Sequence, residues 1–394
     1  AGTPVTAFFW LATEDHDFDE VAHLSVAVPS ATHRQLDLMS LRTTRSGDSR
    51  AAVGPQRIPE PLIAELLALL HIERPQWLRP GITFGDSFAE LISTVFGSEI
   101  VLVDALLPEL RRAGAPLFAN IFRSWSAIEQ TLADRSADLR QAGYTPQVVP
   151  RDGEAYSLLF DLDDRFNRRL IVEPRDTVEE PERISTSALT RPLLQDFVLR
   201  PDVFVGGPAE VAYYAQISPL HELLGVDMPR VALRGHVLLV PKRSLRFMER
   251  FDVRPEELFT SPDALLAERD PQQVEEVKKE AAVGRRQLIE RIERIGELAL
   301  PADHALARAI SRSIGHIEYH FDKFTERAIR GLVRKDRERY AAAKELAATL
   351  YPDRHVQDRI VAWLPFWLQH ETHLVETVVE AIQPDAPAFE IIGL

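Results

Sequence analysis

The chain of 394 residues contains no cysteine, which excludes disulfide bonds, cysteine-ligated zinc, iron–sulfur clusters and a thiol nucleophile. Positive charge is also scarce, because 46 lysines and arginines stand against 60 aspartates and glutamates and leave a formal net charge of −14. This balance argues against nucleic acid or an anionic membrane as the main partner. Bilayer-length apolar runs and a secretory-signal pattern are missing as well. These absences predict a soluble, acidic, cytoplasmic protein.

The residues that are present are typical of a globular protein with two or three domains, since 45% are apolar and 27% charged. Over residues 1–254, short apolar runs alternate with helical stretches, which predicts an α/β layer fold. Two stretches without periodicity, 40–57 and 173–190, are predicted to be exposed loops. The predicted strands are 100–103, 170–172, 203–205 and 237–240, and the predicted helices are 61–71, 88–96 and 121–143.

The first apolar run, residues 5–11, is continuous and has the pattern of a strand buried on both faces. A central strand needs neighbours, yet only four residues precede this one in the chain. We therefore expect that a natural N-terminal segment is missing here.

Residues 255–350 differ in character and are rich in Glu, Lys, Arg and Gln. Apolar residues recur every three or four positions, first over 270–300 and again after Pro301, where Asp303 can cap a second helix. The pattern predicts an antiparallel coiled-coil hairpin whose apolar stripes form a homodimer, with the aromatic tail 351–394 packed on the core. The residues expected nearest the hairpin interior or the shared axis are Ile292, Ile295, Ile317 and Phe324.

Three carboxylates and an imidazole follow the first strand directly, at Glu14, Asp15, His16 and Asp17. Ligands of open α/β sheets bind at the carboxyl ends of the strands, so this position favours a functional site. Such groups supply general acid–base catalysis or cation ligands. The alternative is that Asp17 only caps a helix, in a capping box with Glu20, and that the other side chains are solvated.

A second motif has the pattern of a strand, a Gly206–Gly207 turn and a helix that begins at Pro208. Backbone amides at such a turn can approach a ligand, and the helix N-terminus favours an anion. The motif lacks the third glycine of the dinucleotide fingerprint, and the chain has no P-loop. The alternative is an ordinary helix whose dipole is satisfied by Glu210 in its first turn.

Two arginines and two histidines are further candidates. Arg191 lies beside several hydroxyl side chains and could clamp a carboxylate or phosphate, or simply lie on a helix surface. Arg234 lies in an apolar stretch, where a cation usually needs an anionic partner. His316 and His320 have the spacing to share a metal ion, but they lie within the coiled-coil pattern and outside any H-E-x-x-H motif, so packing is the preferred interpretation.

Several segments together carry a family resemblance. They are 9–18, 205–213 with Ala215 and Gln216, Ser187 with Arg191, Pro192, Gln195 and Asp196, Met228 with Pro229 and Arg234, and 350–352 with 364–366. In this order along nearly the whole chain, they resemble the cysteine-adding enzymes of bacillithiol biosynthesis. Members of that family carry a Gly-Gln-Gln segment before the first strand, which this chain lacks.

The resemblance implies a fold and a reaction. The fold would be a Rossmann-like α/β core, with a parallel sheet and helical inserts, followed by a C-terminal antiparallel α-helical coiled coil through which two subunits associate. The reaction would join L-cysteine to glucosaminyl malate in the last step of bacillithiol biosynthesis. ATP or ADP is the cofactor considered, and no metal site is implied.

The resemblance also implies which residues catalyse the reaction, namely Glu14, Asp15, His16 and Asp17. His16 would be the general base toward the glucosaminyl amine. Asp15 or Asp17 would orient its other ring nitrogen, and Glu14 would bind an ammonium group.

A further set of residues is implied to bind the substrates. Arg191 or Arg234 would bind their carboxylates, and the Gly206–Gly207 turn would bind phosphate if ATP activates cysteine. The full set is Thr13, Ser187, Arg191, Gln195, Asp196, Gly206, Gly207, Glu210, Tyr213 and Arg234.

Two other functions remain open on sequence alone. One is a metal-dependent hydrolase or transferase with the side chains of Glu14, Asp15, His16 and Asp17 as ligands, which metal analysis of the purified protein would reveal. The other is a non-catalytic scaffold whose function is the coiled-coil dimer, which ligand binding at the same four residues would contradict.

Overall fold

The computed structural model describes residues 5–29, 36–44, 50–150, 154–254, 257, 261–299, 306–352, 355–383 and 389–394. Its contacts divide the chain into two units. The first runs to Val26, continues over Met39–Val237 and resumes over Ala362–Glu390, and the second comprises Ala27–Leu38, Leu238–Val361 and Ile391–Leu394. These units differ from the domains expected from the sequence, whose limits at residues 254 and 350 stay predictions.

The strands of the described residues form small sheets, of which two are parallel pairs. The strands are β1 Ala7–Leu11, β2 His23–Pro29, β3 Leu36–Arg42, β4 Ile100–Asp104, β5 Leu159–Leu162, β6 Arg168–Leu170, β7 Ile184–Thr186, β8 Val203–Gly206, β9 Arg230–Leu233, β10 His236–Val240 and β11 Phe389–Gly393. Strand β1 pairs in parallel with β4, and β8 with β9. Strand β5 lies between β6 and β7 and pairs antiparallel with both, whereas β2 pairs with β3 and β10 with β11.

Helices make up most of the remaining described chain. They are α1 Glu60–Leu70, α2 Phe84–Phe96, α3 Pro108–Ala113, α4 Ala115–Arg123, α5 Trp125–Gln141, α6 Arg191–Leu199, α7 Pro208–Leu224, α8 Lys242–Phe251, α9 Pro262–Glu268, α10 Pro271–Ala299, α11 Leu306–Val333, α12 Arg337–Leu350, α13 Gln357–Ile360 and α14 Leu364–Ala381. Helix α2 begins earlier than predicted because the Thr83 hydroxyl accepts a hydrogen bond from the Asp86 N–H, 3.1 Å away. The helix predicted at 121–143 is divided at Ser124 into α4 and α5. In the described part of the chain, no helix combines the length and the apolar character needed to span a membrane.

The main core of the first unit lies where helices α4 to α7 pack beside β5 and β7. Its fully buried side chains include Phe118, Ile121, Ile128, Leu132, Leu159, Leu193, Ile217 and Leu220. Burying each such side chain contributes about 1.5–3 kcal/mol to the free energy of unfolding. Because Val103 of β4 belongs to the cluster, this core also stabilises the strand whose end carries the candidate site. A smaller cluster of Ile63, Trp77, Leu78 and Ile82 includes Leu364, the first residue of α14.

Two of the local predictions were wrong, and a third was wrong at one end only. Strand β1 is not buried on both faces, since Phe8 is 47% exposed. The exposed loop predicted over 173–190 contains the buried strand β7. The first residue of that strand, Ile184, is only 2% exposed. The loop predicted over 40–57 is confirmed over 43–44 and 50–57, which lie outside helices and strands, but its first three residues belong to β3. Residues 45–49 lie outside the described part of the chain.

The predicted helical hairpin is confirmed as two long helices, α10 and α11, packed against each other. Gly296 of α10 faces Ile310 of α11 and Gly284 faces Phe321, so the two helices run antiparallel. Helix α11 ends at Val333 rather than near 350, because Asp336 caps a separate helix through the Arg339 N–H. The turn itself, with Pro301 and Asp303, lies outside the described residues. Of the four residues expected at the interior or shared axis, Ile292 and Ile317 are half-buried, whereas Ile295 and Phe324 are exposed.

Candidate active site

The candidate site is built on the carboxyl ends of β1 and β4. These strands end opposite each other at Leu11 and Asp104, and the Thr13 hydroxyl donates a short hydrogen bond to the Asp104 carboxylate. The Gly54 N–H donates to the Thr13 carbonyl oxygen, 3.0 Å away, and a Cβ at Gly54 would lie only 2.5 Å from the Thr13 Cβ. Thr13 is therefore buried, and its hydrogen bonds connect the end of β1 to β4 and to the loop at Gly54. The predicted contact of Thr13 with substrate does not fit this position.

Glu14 lies at the centre of a buried network instead of facing a ligand. Its Oε2 accepts hydrogen bonds from Arg111 Nη2 at 2.7 Å and from Ser185 Oγ at 2.6 Å, and its Oε1 accepts from Thr186 Oγ1 at 2.7 Å. Burial by itself would raise the Glu14 pKa, but Arg111 and the hydrogen bond from Ser185, with Arg168 and Thr186, hold it below its ordinary value.

This network corrects the role expected for Glu14. Arg111 is completely buried and also donates from Nε to the Ala105 carbonyl oxygen, 3.0 Å away. Because Glu14 is only 3% exposed and both its oxygens are paired inside the protein, the ammonium group of a ligand cannot reach it. The hydrogen bonds of Glu14 with Arg111, Ser185 and Thr186 join α3 and β7 to the end of β1. They thereby fix the position from which Asp15 and His16 reach the surface.

Asp15 and His16 emerge from this base toward the surface, with side chains 53% and 42% exposed. Both lie beside Arg168 of β6, a residue that the sequence motifs did not include. Arg168 Nη1 lies 3.0 Å from His16 Nδ1 and 3.6 Å from Asp15 Oδ1. The Arg168 side chain is only 6% exposed and lies over the Phe160 ring, with Cζ 4.1 Å from the ring centroid. The structure therefore joins the imidazole to a carboxylate and a fixed cation.

The electrostatics of this group keep Asp15 ionised. The His16 side chain beside it lowers the Asp15 pKa to about 2, and although burial opposes this, the His16 backbone N–H at 2.7 Å and Arg168 add to it. Nearby Glu20 behaves in the opposite way, since burial and the charges of Asp15 and Asp17 raise its pKa. A site with one carboxylate held ionised and another biased toward protonation has the asymmetry that acid–base chemistry uses.

A cavity of about 900 Å³ opens beside this group. Asp17 faces it rather than capping a helix, because the segment that follows is a three-residue 3₁₀ helix, Phe18–Glu20, to which the Asp17 side chain makes no capping hydrogen bond. The capping interpretation of Asp17 is therefore wrong. The residues lining the cavity are His16, Asp17, Phe18, Asp19, Ala22, His23, Arg42, Thr43 and Thr44.

The Gly206–Gly207 turn does not fit the phosphate site expected there. The Gly207 N–H already donates to Glu210 Oε2 at 2.9 Å, so the carboxylate occupies the helix N-terminus that an anion would need. Arg191 Nη2 lies 3.8 Å from the other oxygen of Glu210, and a Cβ on Gly207 would lie 3.4 Å from Arg234 Nε. Arg234 follows the end of β9 and is exposed, so it is not the cation inside a strand that the sequence suggested.

The charge of Arg191 acts on both motifs. It lowers the pKa of Glu20, against the larger effects of burial and of Asp15 and Asp17, while it pairs with Glu210 at the start of α7. Arg191 thus connects the first and second sequence motifs electrostatically.

Two of the remaining expected contacts are structural. Asp196 is 1% exposed and accepts hydrogen bonds from the Tyr214 hydroxyl at 3.0 Å and from His221 Nε2 at 2.9 Å, so it braces α6 against α7. Ser187 Oγ accepts from the Leu189 N–H at 3.2 Å and shapes the turn before α6. Gln195 and Tyr213 lie half-buried on α6 and α7, where a ligand can still reach part of each side chain.

The metal-dependent alternative requires Glu14 as a ligand, and Glu14 is paired with Arg111 and two hydroxyls. Within the described residues, no three His, Asp or Glu side chains converge as a metal site would require. His316 and His320 both lie exposed on α11.

The sequence motifs missed Arg111 and Arg168 because each lies far along the chain from its partner. Arg111 pairs with Glu14 across 97 positions, and Arg168 contacts His16 across 152. Both arginines stand in ordinary charged stretches with a second arginine beside them, so no local pattern distinguishes the buried cation from its exposed neighbour.

Comparison with known proteins gives matches over the whole chain. Residues 1–235 match the N-terminal Rossmann-like domain of bacillithiol biosynthesis BshC, and residues 237–394 match the C-terminal coiled-coil domain of the same family. A relative from Solibacter usitatus, named "Putative cysteine ligase BshC", is 30% identical over 97% of this chain and 76% of its own length. Relatives of the same name from Koribacter versatilis and Heliobacterium modesticaldum are 29% and 26% identical over 96% of this chain, covering 75% and 74% of their own lengths.

Proposed function

The chain belongs to the BshC family of bacillithiol biosynthesis and is an enzyme of the ligase class, and on this premise we propose which reaction it catalyses. It joins the carboxyl group of L-cysteine to the amine of glucosaminyl malate through an amide bond, in the last step of bacillithiol assembly. The observation that supports this proposal is the group of Asp15, His16 and Arg168 beside the cavity of about 900 Å³.

Amide formation requires a base for the amine proton and positive charge for the substrate carboxylates. In the proposed mechanism, ATP activates the cysteine carboxylate as an acyl phosphate or acyl adenylate, and the amine attacks its carbonyl carbon. His16 takes the amine proton, phosphate or AMP leaves as the amide C–N bond forms, and ionised Asp15 stabilises the imidazolium. Arg168 and Arg191 supply the positive charge. Glu14 holds the strand end from below and takes no part in the proton transfer.

Mass spectrometry of the products tests this function directly. We expect bacillithiol from L-cysteine and glucosaminyl malate, and His16→Ala should lower the turnover by about 10²–10⁴, the usual loss on removing a general base. His316→Ala, an exposed histidine on α11, is the matched control and should keep the parent rate. A His16→Ala protein that turns over as fast as its parent contradicts the assignment. The same assay with and without ATP tests whether the reaction uses this nucleotide, which stays a prediction. The cytoplasmic location also stays a prediction.

We also propose that two subunits associate through the hairpin of α10 and α11. Leu288, Ile295 and Leu298 lie seven and three positions apart on α10, so they share one face, and Ile295 and Leu298 are 65% and 73% exposed. An exposed aliphatic stripe along a long pair of helices is a typical contact surface for a second copy.

Light scattering over a dilution series tests the dimer. The parent should show twice the monomer mass, and Ile295→Glu with Leu298→Glu should give the monomer mass because two charges would be desolvated in the contact. Glu293→Gln, on an exposed position of the same helix, should leave the dimer intact. A parent protein that is monomeric at micromolar concentration contradicts this part of the proposal.

A further inference from the structure

Arg168 has the contacts of a residue that does more than hold the fold. Its Nη1 lies 3.0 Å from His16 Nδ1, and its Nη2 donates to the Thr186 carbonyl oxygen. Its Nε is buried and has no hydrogen-bond partner among the described residues. A guanidinium group only donates hydrogen bonds, so the Nδ1 that faces it must be the accepting nitrogen.

This contact fixes the tautomer of His16. If Nδ1 accepts from Arg168, a neutral imidazole carries its proton on Nε2. In that state Nε2 cannot take a proton from an amine, so the base proposed above is held in its inactive form. Nδ1 has a second neighbour, Asp15 Oδ1 at 3.5 Å, whose hydrogen bond with the ring favours the opposite tautomer and contributes to the low Asp15 pKa. Arg168 and Asp15 therefore compete for the same nitrogen, and Arg168 is the nearer of the two.

Arg168 also lines a second cavity, of about 260 Å³, on the β5–β6 side of the site. Four arginines and two aspartates line it, so positive charges outnumber negative ones in the lining. Arg183 also pairs with Asp164 at 3.0 Å and Asp161 with Arg175, while Asp163 accepts from Asn167 Nδ2 at 2.7 Å and keeps its charge. The cavity is therefore polar with an excess of positive charge, and its volume suits a small dicarboxylate. Its lining residues are Arg50, Asp161, Leu162, Asp163, Asn167, Arg168, Arg169 and Arg183.

We propose that this arginine-lined cavity binds a carboxylate of the acceptor substrate, and that Arg168 then releases His16 to act as the base. A charge-assisted bond from guanidinium to carboxylate is about twice as strong as one to a neutral acceptor, so an incoming carboxylate outcompetes the imidazole for Nη1. The Nε2 proton passes to water and a proton from water binds Nδ1, so no net charge changes. The new Nδ1–H stays on the ring and donates a hydrogen bond to ionised Asp15. The inference rests on the proposed function for its substrate, a malate-type dicarboxylate.

The tautomer of His16 can be read directly by nitrogen NMR of protein labelled in its histidine rings. The measurement is made at a pH of about 8, where ordinary imidazoles are neutral, and the His16→Gln variant identifies the His16 signals. We expect the Nε2–H tautomer in the protein alone and the Nδ1–H tautomer with saturating L-malate. An Nδ1–H tautomer without malate, a failure of L-malate to bind, or malate binding that leaves the tautomer unchanged would each overturn the proposal.

Variants separate the two parts of the argument. Arg168→Gln should weaken L-malate binding by about tenfold to a hundredfold, as expected for a lost charged hydrogen bond, and should abolish the response of His16. Arg169→Gln removes an exposed arginine of the same cavity, so it should weaken binding but leave the malate-free tautomer unchanged. Arg112→Gln, on exposed α3, is the neutral control. If Arg168→Gln fails to fold, the parent spectra with and without malate still decide.

The outcomes also distinguish this inference from the proposed function. A malate-dependent change of tautomer without any bacillithiol formation would support the cavity and the role of Arg168 while rejecting the reaction. Bacillithiol formation with no change of tautomer would support the reaction and reject Arg168 as the residue that controls His16.

Discussion

The strand-end site and the helical hairpin place their charged residues in opposite ways. At the strand end, Glu14 and Arg111 are buried together although 97 positions separate them in the chain. On the hairpin, charged pairs are exposed, and several join residues three positions apart, such as Lys278 with Glu275 and Lys323 with Glu326. A buried pair is strongly destabilising to break, whereas exposed pairs contribute at most about 1 kcal/mol.

This difference shows where the stability of the site comes from. The hairpin is held by two apolar seams that recur along each helix, and its charges keep its surface hydrated. The strand end depends on a few groups that satisfy one another at long range and that also aim Asp15 and His16 outward. A change in one of these groups should therefore be felt much more strongly than a change on the hairpin.

The largest effect is expected for Glu14→Gln. It leaves the Arg111 guanidinium, which is fully buried, without a counter-charge, and such a loss costs about 3–5 kcal/mol of the free energy of unfolding. Denaturant unfolding monitored by circular dichroism measures it. The matched control is Glu109→Gln, which removes an exposed partner of Arg112 on the same helix and should cost less than about 1 kcal/mol. Equal losses for the two variants would show that the buried pair is not what holds the strand end.

Acid should remove the same stabilisation more gradually. The pKa values of Glu14 and Asp15 are lowered in the folded protein, so their stabilising contribution is complete above their ordinary values, near 4, and is lost as the pH falls through the folded values. For Asp15 this window runs from about 3.8 down to about 2. Melting temperatures measured between pH 6 and pH 2 should fall most steeply in this range. The melting temperature of Glu14→Gln should fall less steeply over the same range. A curve parallel to that of the parent protein would show that ionised Glu14 does not provide this stabilisation.

A pair of glycine substitutions should produce smaller effects of opposite sign. At Gly54, a Cβ would lie 2.5–2.8 Å from Thr13 atoms that include its backbone, so Gly54→Ala should cost about 1–3 kcal/mol through overpacking. At Gly315 on α11, a Cβ meets no heavy atom within 4 Å, so Gly315→Ala should stabilise the helix by about 0.5–1 kcal/mol. Thermal unfolding of both proteins checks this. Stabilisation by Gly54→Ala would mean that the loop is not clamped against Thr13.

Several features of the protein could be predicted from the sequence because they depend on local patterns. The hairpin helices followed from a three-to-four-residue apolar repeat, and strands β4 and β8 followed from short apolar runs bounded by polar residues. Their limits were less certain where one side chain decides them, as at Thr83 and Asp336. The group at 14–17 was recognisable because it follows a strand directly.

The roles inside that group required the tertiary structure. In the turn after β1, Thr13 and Glu14 are buried while Asp15 and His16 are exposed, so two neighbouring acidic residues serve the core and the surface group, respectively. Asp196 was expected to contact the substrate but lies in the core. The sequence could not show this, because its partners Tyr214 and His221 come from another helix.

The sequence by itself determined the helical hairpin, the α/β character of residues 1–235 and the family, because these depend on periodicity and on motifs that keep their order along the chain. Only the tertiary structure decided that Arg111 neutralises Glu14 and that Arg168 contacts His16. The physical reason is that burial and pairing depend on groups brought together across about a hundred or more residues, and a carboxylate or an arginine has the same appearance in the sequence whether it is buried or exposed.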